Sequence, residues 1–250
     1  MIGLAAVDVE VTLDSIRDIK LYQSKDGYRF SVDALLLYSF VNLPRAGKIA
    51  DLGAGSGIVG LLLAKKYPDS MVSLIELQAG LADLARKNVV LNSLEERVSV
   101  MEKDLREIAS CPSFPSTEDR FDIVVSNPPF RKPRTGLISP EEERAIARHE
   151  IKLKLSELVG ASHRLLRSKG RFFLIHHPER LSELVCALRE KEMEVKRLRF
   201  VHSNISSGAK MVLAEAVKDG AAGTKVDRPL CIYKENGGYS DEMKEIYEGV

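Results

Sequence analysis

Ile49-Ala50-Asp51-Leu52-Gly53-Ala54-Gly55-Ser56-Gly57 is the stretch that decides the architecture of this chain. A short apolar run ends in alternating glycines, and Ile58 to Tyr67 follows with helical spacing until Pro68-Asp69 stops it. That is a strand, a tight turn and a helix. The pattern then repeats. Met71 to Glu76 reads as a strand, Ala79 to Leu91 as a helix, Val98 to Asp104 as a strand, and Phe121 to Ser126 as a buried strand stopped by two prolines. Strands alternating with helices predict an α/β fold, with a mainly parallel sheet covered on both faces. Ligands in such sheets bind outside the carboxyl ends of the strands. The glycine turn, Glu76, Asp104 and Asn127 each end a successive strand, so four chemistry-bearing features converge on one edge.

Upstream, Met1 to Leu13 reads as an edge strand or a disordered leader. Ile19 to Gln23 and Tyr28 to Phe30 flank Ser24-Lys25-Asp26-Gly27 and predict a hairpin turning at Asp-Gly. Ser31 is placed to cap a helix that carries Asp33 in its first turn and is closed by Pro44. Downstream, Cys111 to Asp119 reads as a surface loop. One long helix is expected from Pro140 to Leu166, with Gly170 as its stop. A strand from Arg171 to His176 and a helix from Glu179 to Lys191 follow, then a hairpin made by Glu194–Val201 and Lys210–Val217. Three sections are expected: residues 1–45 as an extension packed on the core, 46–219 as the main domain, and 220–250 as a tail.

The chain has 250 residues, 44% hydrophobic and 29% charged, as in an ordinary soluble globular protein. A formal charge of +1 supplies no global basic field, so any nucleic acid must be met by local patches. Cys111, Cys186 and Cys231 are odd in number and lack metal-ligand spacing, so reduced thiols in a cytoplasmic protein are expected. No apolar run is long enough to span a bilayer, and no secretory leader is evident. His149, His176 and His177 have no third ligand at useful spacing, so structural roles and no metal are expected.

The chemistry is concentrated in Ser126-Asn127-Pro128-Pro129-Phe130. Prolines have no N–H, Asn127 adds a side-chain acceptor, and Phe130 a flat apolar face. Acceptors beside an aromatic plate suit a planar group bearing an NH2, such as adenine or a primary amide. Gly53, Gly55 and Gly57 allow a tight turn whose backbone N–H groups approach a ligand closely. A dinucleotide would also suit such a turn, but Asp51 at the strand end would repel a pyrophosphate and suits the cationic amino group of a methionine moiety. Glu76 is placed to accept ribose hydroxyls, and Asp104 to accept from an adenine amino group.

Asp51 to Gly57, Glu76, Asp104 and Asn127 to Phe130, in this order, resemble the class I S-adenosylmethionine-dependent methyltransferases. Asn-Pro-Pro-Phe resembles the motif of those that methylate an exocyclic or amide nitrogen. Tyr28 to Leu37, Glu143 to Glu150, His177 to Leu181 and Arg197 to Ser203 are similar to segments of the bacterial tRNA1(Val) N6-adenosine methyltransferase family. The resemblance implies a Rossmann-like, mainly parallel seven-stranded sheet with an antiparallel C-terminal hairpin. It implies S-adenosylmethionine held by Phe30, Asp33, Asp51, Gly53, Ala54, Gly55, Gly57, Glu76, Leu77, Asp104, Leu105 and Asn127. Asn127, Pro128, Pro129 and Phe130 are then the catalytic residues, and tRNA is the partner. Arg131, Lys132, Arg134, Arg144 and Arg148 are expected to hold its phosphates. A protein glutamine methyltransferase, or a methylase of another RNA base amine, is the alternative. Arg197, Arg199, His202 and Lys210 on the last hairpin read as a solvated strand face.

Overall fold

Residues 11–24, 32–110, 116, 119–128 and 153–249 are described by a computed structural model of the chain. The alternation in the sequence becomes one sheet. Its long strands are β3 (Lys48–Leu52), β4 (Met71–Glu76), β5 (Val98–Glu102), β6 (Phe121–Ser126), β7 (Leu166–His176), β8 (Met193–His202) and β9 (Ala209–Lys218). Among the described residues they lie in the order β8-β9-β7-β6-β3-β4-β5. β9 alone of these runs antiparallel to its neighbours β7 and β8. Adjacent residues feed opposite layers, as the two-residue period of a strand requires. Ile49, Ile123, Val125 and Phe173 enter one buried cluster. Ala50, Val124, Phe172 and Leu174 enter the other.

The helices α1 (Val32–Phe40), α2 (Ile58–Lys66) and α3 (Ala79–Leu91) cover the first face. The second is covered by α4 (Leu105–Ser110), α5 (Leu155–Leu165) and α6 (Leu181–Arg189). Among the described residues no helix is long and apolar enough to cross a membrane.

Four expectations are corrected. First, Ile19–Ser24 (β2) pairs antiparallel with Val11–Ile16 (β1), upstream of it, so a strand runs where an edge strand or disordered leader was expected. The turn is Arg17-Asp18, where Arg17 takes φ 50; Asp26-Gly27 and Tyr28 to Phe30 lie outside the described residues. Second, the single helix expected from Pro140 to Leu166 does not exist as such. Lys154 is extended (φ −78, ψ 153) and caps a new helix start, its N–H donating to Glu157 at 2.6 Å. Residues 140–152 lie outside the described ones. Third, helix α5 stops at Leu165, and the strand begins at Leu166 instead of Arg171. A register shift against β6 lets that strand bend there, with Lys169 at φ 62. Fourth, the strand ending expected at Asp104 ends at Glu102, and Asp104 opens α4 instead.

The tail is more built than its polar composition suggests. Lys225–Val226 (β10) and Leu230–Cys231 (β11) pair parallel to β8 and cover its edge. Asp241–Glu248 (α7) follows, with Leu230, Ile232, Met243 and Ile246 buried. The cations expected on a solvated face are what holds this tail. Arg199 donates to Glu242 at 2.8 Å and to the Arg228 carbonyl at 3.1 Å, and Arg197 lies 3.8 Å from Asp227.

Candidate active site

The carboxyl ends of β3, β4 and β6 meet at one edge. Gly53, Gly55 and Gly57 take φ of +68, +57 and +92, a left-handed path that side chains resist. This path turns the chain from β3 straight into α2. The turn does not present its amides to a ligand as expected. The N–H groups of Gly53 and Ala54 both donate to the Ile75 carbonyl (2.9 and 3.1 Å), and that of Gly57 to the Ala54 carbonyl (2.8 Å). Gly55 N–H donates to Glu76 at 2.9 Å. A pyrophosphate would find these donors already engaged, so the dinucleotide reading of the turn is disfavoured.

Asp51 is 1% exposed yet lines the cleft beneath this turn. Its Oδ2 accepts from the Gly60 N–H at 2.9 Å, which satisfies one orphan donor of the first turn of α2. Burial pushes its carboxyl up to about 7; the Gly60 bond lowers it, and the Glu76 charge nearby adds to the rise. Gly60 leaves no room for anything larger, since an added Cβ would sit 2.1 Å from Leu74 Cδ2 and 3.3 Å from Asp51 Oδ2. Gly60→Ala is expected to cost about 1–3 kcal/mol through overpacking, offset in part by about 1 kcal/mol of better helix propensity. Differential scanning calorimetry should show a Tm lower by several degrees; an unchanged Tm would show that Leu74 and Asp51 move aside freely.

Glu76 is 6% exposed, with Oε2 on Gly55 and Oε1 accepting from Gln78 N–H at 2.9 Å. Each oxygen keeps a second lone-pair direction for a hydroxyl donor. Leu77 beside it is 40% exposed, an apolar surface. Asp104 behaves mainly as the capping residue of α4. It accepts from the Arg106 backbone N–H at 2.9 Å and pairs with the Arg106 guanidinium at 2.5–3.0 Å, which raises the arginine further. A ligand amine there would share Asp104 with Arg106. Leu105 is buried in the second cluster and supports the edge from below.

From the end of the neighbouring strand β6 comes Asn127, half-buried and lining the same cleft as Asp51, Gly53 and Gly55. Ala34, in the first turn of α1, lines it too, one residue after Asp33. The cleft holds about 360 Å³ of empty space, part of it open solvent. Two side chains that the sequence reading missed hold this geometry. Ser126 is buried and its Oγ donates to the Leu52 carbonyl at 2.8 Å, tying the ends of β6 and β3 together. Asn88, fully buried on α3, donates to the Ser56 carbonyl at 2.9 Å. A polar amide on an otherwise apolar helix stripe (Leu84, Ala85, Val89) was the signal for Asn88.

Phe30, Pro129, Phe130, Arg131, Lys132, Arg134, Arg144 and Arg148 lie outside the described residues. His176 and His177 sit at the end of β7, the neighbour of β6. Burial lowers His176 to about 4, and its Nδ1 accepts from the His177 N–H at 2.8 Å.

A family model described as the methyltransferase small domain matches residues 30–196. The chain belongs to this family. Proteins similar to it include the tRNA1(Val) (adenine(37)-N6)-methyltransferase of Porphyromonas gingivalis. That relative is 30% identical, over 94% of this chain and 92% of its own. The enzyme of the same name from Aeromonas hydrophila is 27% identical over 87% and 88%. Among solved structures, a predicted O-methyltransferase from Agrobacterium tumefaciens superposes with a TM-score of 0.67 at 23% identity, over 85% of this chain and 94% of that one. The T. thermophilus 16S rRNA N2 G1207 methyltransferase, solved with AdoMet and guanosine, gives 0.56 at 20% identity, over 84% and 50%. These two likenesses establish the fold, a Rossmann-like class I sheet. The small-domain methyltransferase described here is accordingly an S-adenosylmethionine-dependent enzyme.

Proposed function

We propose that this methyltransferase modifies the N6 amino group of adenine in tRNA, at the adenosine next to the anticodon. The observation that carries the proposal is that Asn127 and the Gly53–Gly57 turn line one cleft. The relatives named for this reaction match nearly end to end.

The residues present fit S-adenosylmethionine. A buried carboxylate (Asp51) lines the cleft as a partner for an ammonium, and a second (Glu76), bonded to the cleft-lining Gly55, is a partner for vicinal hydroxyls. Leu77 offers an apolar face and Asp104 an acceptor for the adenine end. When bound, the cofactor supplies an electrophilic methyl on a sulfonium centre. The chain's own task is to present the amine. The N6 lone pair is delocalised into the purine ring, so the nitrogen is a poor nucleophile. Accepting its two hydrogens on Asn127 Oδ1 and the Pro128 carbonyl favours a pyramidal nitrogen with its lone pair aimed across the cleft. No general base is needed before transfer, because alkylation makes the nitrogen acidic. Phe130 stacks on the extruded base, a contact worth roughly 1–3 kcal/mol. Arg131, Lys132, Arg134, Arg144 and Arg148 hold the flanking phosphates.

The test is methyl transfer from radiolabelled S-adenosylmethionine to an unmodified tRNA pool, with a release factor as competing acceptor. Label is expected in tRNA, on adenine. Label in the release factor would instead establish the glutamine reading, and label in ribosomal RNA alone would move the substrate to another RNA.

A further inference from the structure

We propose that Asn88 is a positioning residue that locks the glycine turn to the N-terminal hairpin, so that cofactor binding and hairpin docking are one coupled event. The proposal rests on the reading that the Gly53–Gly57 turn holds S-adenosylmethionine. Asn88 is 0% exposed, and its amide is fully used. Oδ1 accepts from the Tyr22 N–H at 2.7 Å; Nδ2 donates to the Tyr22 carbonyl at 3.0 Å and to the Ser56 carbonyl at 2.9 Å. A planar group with both hydrogens committed in different directions fixes Ser56 relative to Tyr22. Ser56 follows Gly55, which Glu76 holds, so the turn is clamped at two consecutive residues from two different elements.

Asn92 is an internal control supplied by the fold. One helical turn further on, its Oδ1 accepts from the Lys20 N–H at 2.9 Å and its Nδ2 donates to the Lys20 carbonyl at 2.7 Å. Alternate residues of β2 turn their backbone groups away from β1, spaced about 6.8 Å apart. Residues four apart on a helix rise about 6 Å. The two amides therefore match this strand edge and cover it as a neighbouring strand would. Both hold the hairpin, but only Asn88 also touches the turn. Coupling between two sites is reciprocal: what steadies Ser56 for a ligand steadies Tyr22 as well.

The experiment uses the whole chain with S-adenosylhomocysteine as the probe, by titration calorimetry and steady-state kinetics. Asn88→Ala is expected to weaken binding about tenfold or more, with kcat at saturating cofactor kept within about threefold; Asn92→Ala stays within about twofold in affinity. Equal weakening by both substitutions, or none by Asn88→Ala, would overturn the proposal. Asn88→Ala also leaves buried groups unpaired and risks unfolding, so hydrogen exchange on the wild-type chain supplies a second measurement. Saturation with S-adenosylhomocysteine should slow exchange of the Tyr22 amide, and an unchanged rate there would contradict the coupling. Gly55→Val separates the two readings, since it abolishes binding if the turn is the cofactor site. Normal binding by that variant would overturn the site assignment and the coupling with it.

Discussion

Asn127→Ala is expected to lose at least about a hundredfold in kcat, the usual scale for deleting one preorganised polar group aimed at the reacting atoms. S-adenosylhomocysteine should still bind within several-fold of wild type. The split follows from where Asn127 sits. It follows β6, pinned to β3 by the Ser126–Leu52 bond, and lines the same cleft as Asp51. Its proposed contact is with the amine, and the carboxylates that suit the cofactor belong to other strands. Asn127→Asp keeps an acceptor oxygen and should recover part of the lost rate. Single-turnover kinetics with tRNA and labelled cofactor would measure both. If Asn127→Ala lost cofactor binding and kept kcat at saturation, Asn127 would be a cofactor ligand only.

The second large effect belongs to Asp51→Asn, which should gain stability and lose affinity together. The carboxyl of Asp51 is raised from 3.8 to about 7 when folded, so the native chain binds more protons than the unfolded chain across that window. Its contribution to stability therefore falls as pH rises from about 4 to about 7. At roughly 1.36 kcal/mol per pKa unit, about three units amount to a penalty on the order of 4 kcal/mol above pH 7. His176 runs the opposite way. Its folded value, lowered from 6.5 to about 4, makes stability rise with pH over that interval. The two groups partly cancel in the wild type, so the substitution is what exposes the Asp51 slope. Asp51→Asn keeps an acceptor for the Gly60 N–H and removes the buried charge. Apo Tm should rise at pH 7.5 and change little at pH 4. An ammonium against Asp51 requires the ionised form, so wild-type affinity for S-adenosylhomocysteine should weaken about tenfold per pH unit below 7. In Asp51→Asn that dependence should vanish, at an affinity lower by about a hundredfold. Thermal melts and calorimetry between pH 5 and pH 8 would check both halves. A wild-type affinity that does not vary with pH would remove the ammonium from Asp51.

The buried charge also marks where sequence and structure agree and part. Apolar strands with alternating faces, such as Ile49 and Ala50 or Phe172 and Phe173, are legible because periodicity is local. The convergence of Asp51, Glu76 and Asn127 on one edge follows from parallel strands and needs no contact information. What escaped is set by tertiary partners. Val11–Ile16 pairs with β2 through a two-residue turn at Arg17-Asp18, and Asn88 and Asn92, distant in sequence, bond the Tyr22 and Lys20 backbone on its other edge. The helix break at Lys154 leaves no proline or glycine to announce it; Glu157, reaching back to the Lys154 N–H, marks the new start. Likewise, the glycines of the turn are legible, but their hydrogen bonding is tertiary: the Gly53 and Ala54 amides go to Ile75, that of Gly55 to Glu76 and that of Gly57 to Ala54.

A structure of the whole chain with S-adenosylhomocysteine and adenosine bound together tests the site most directly. The N6 amine is expected within about 3 Å of both Asn127 Oδ1 and the Pro128 carbonyl. The homocysteine amino group should lie against Asp51 and the ribose against Glu76. Adenosine bound away from Asn127, or a cofactor outside the Gly53–Gly57 turn, would contradict this site.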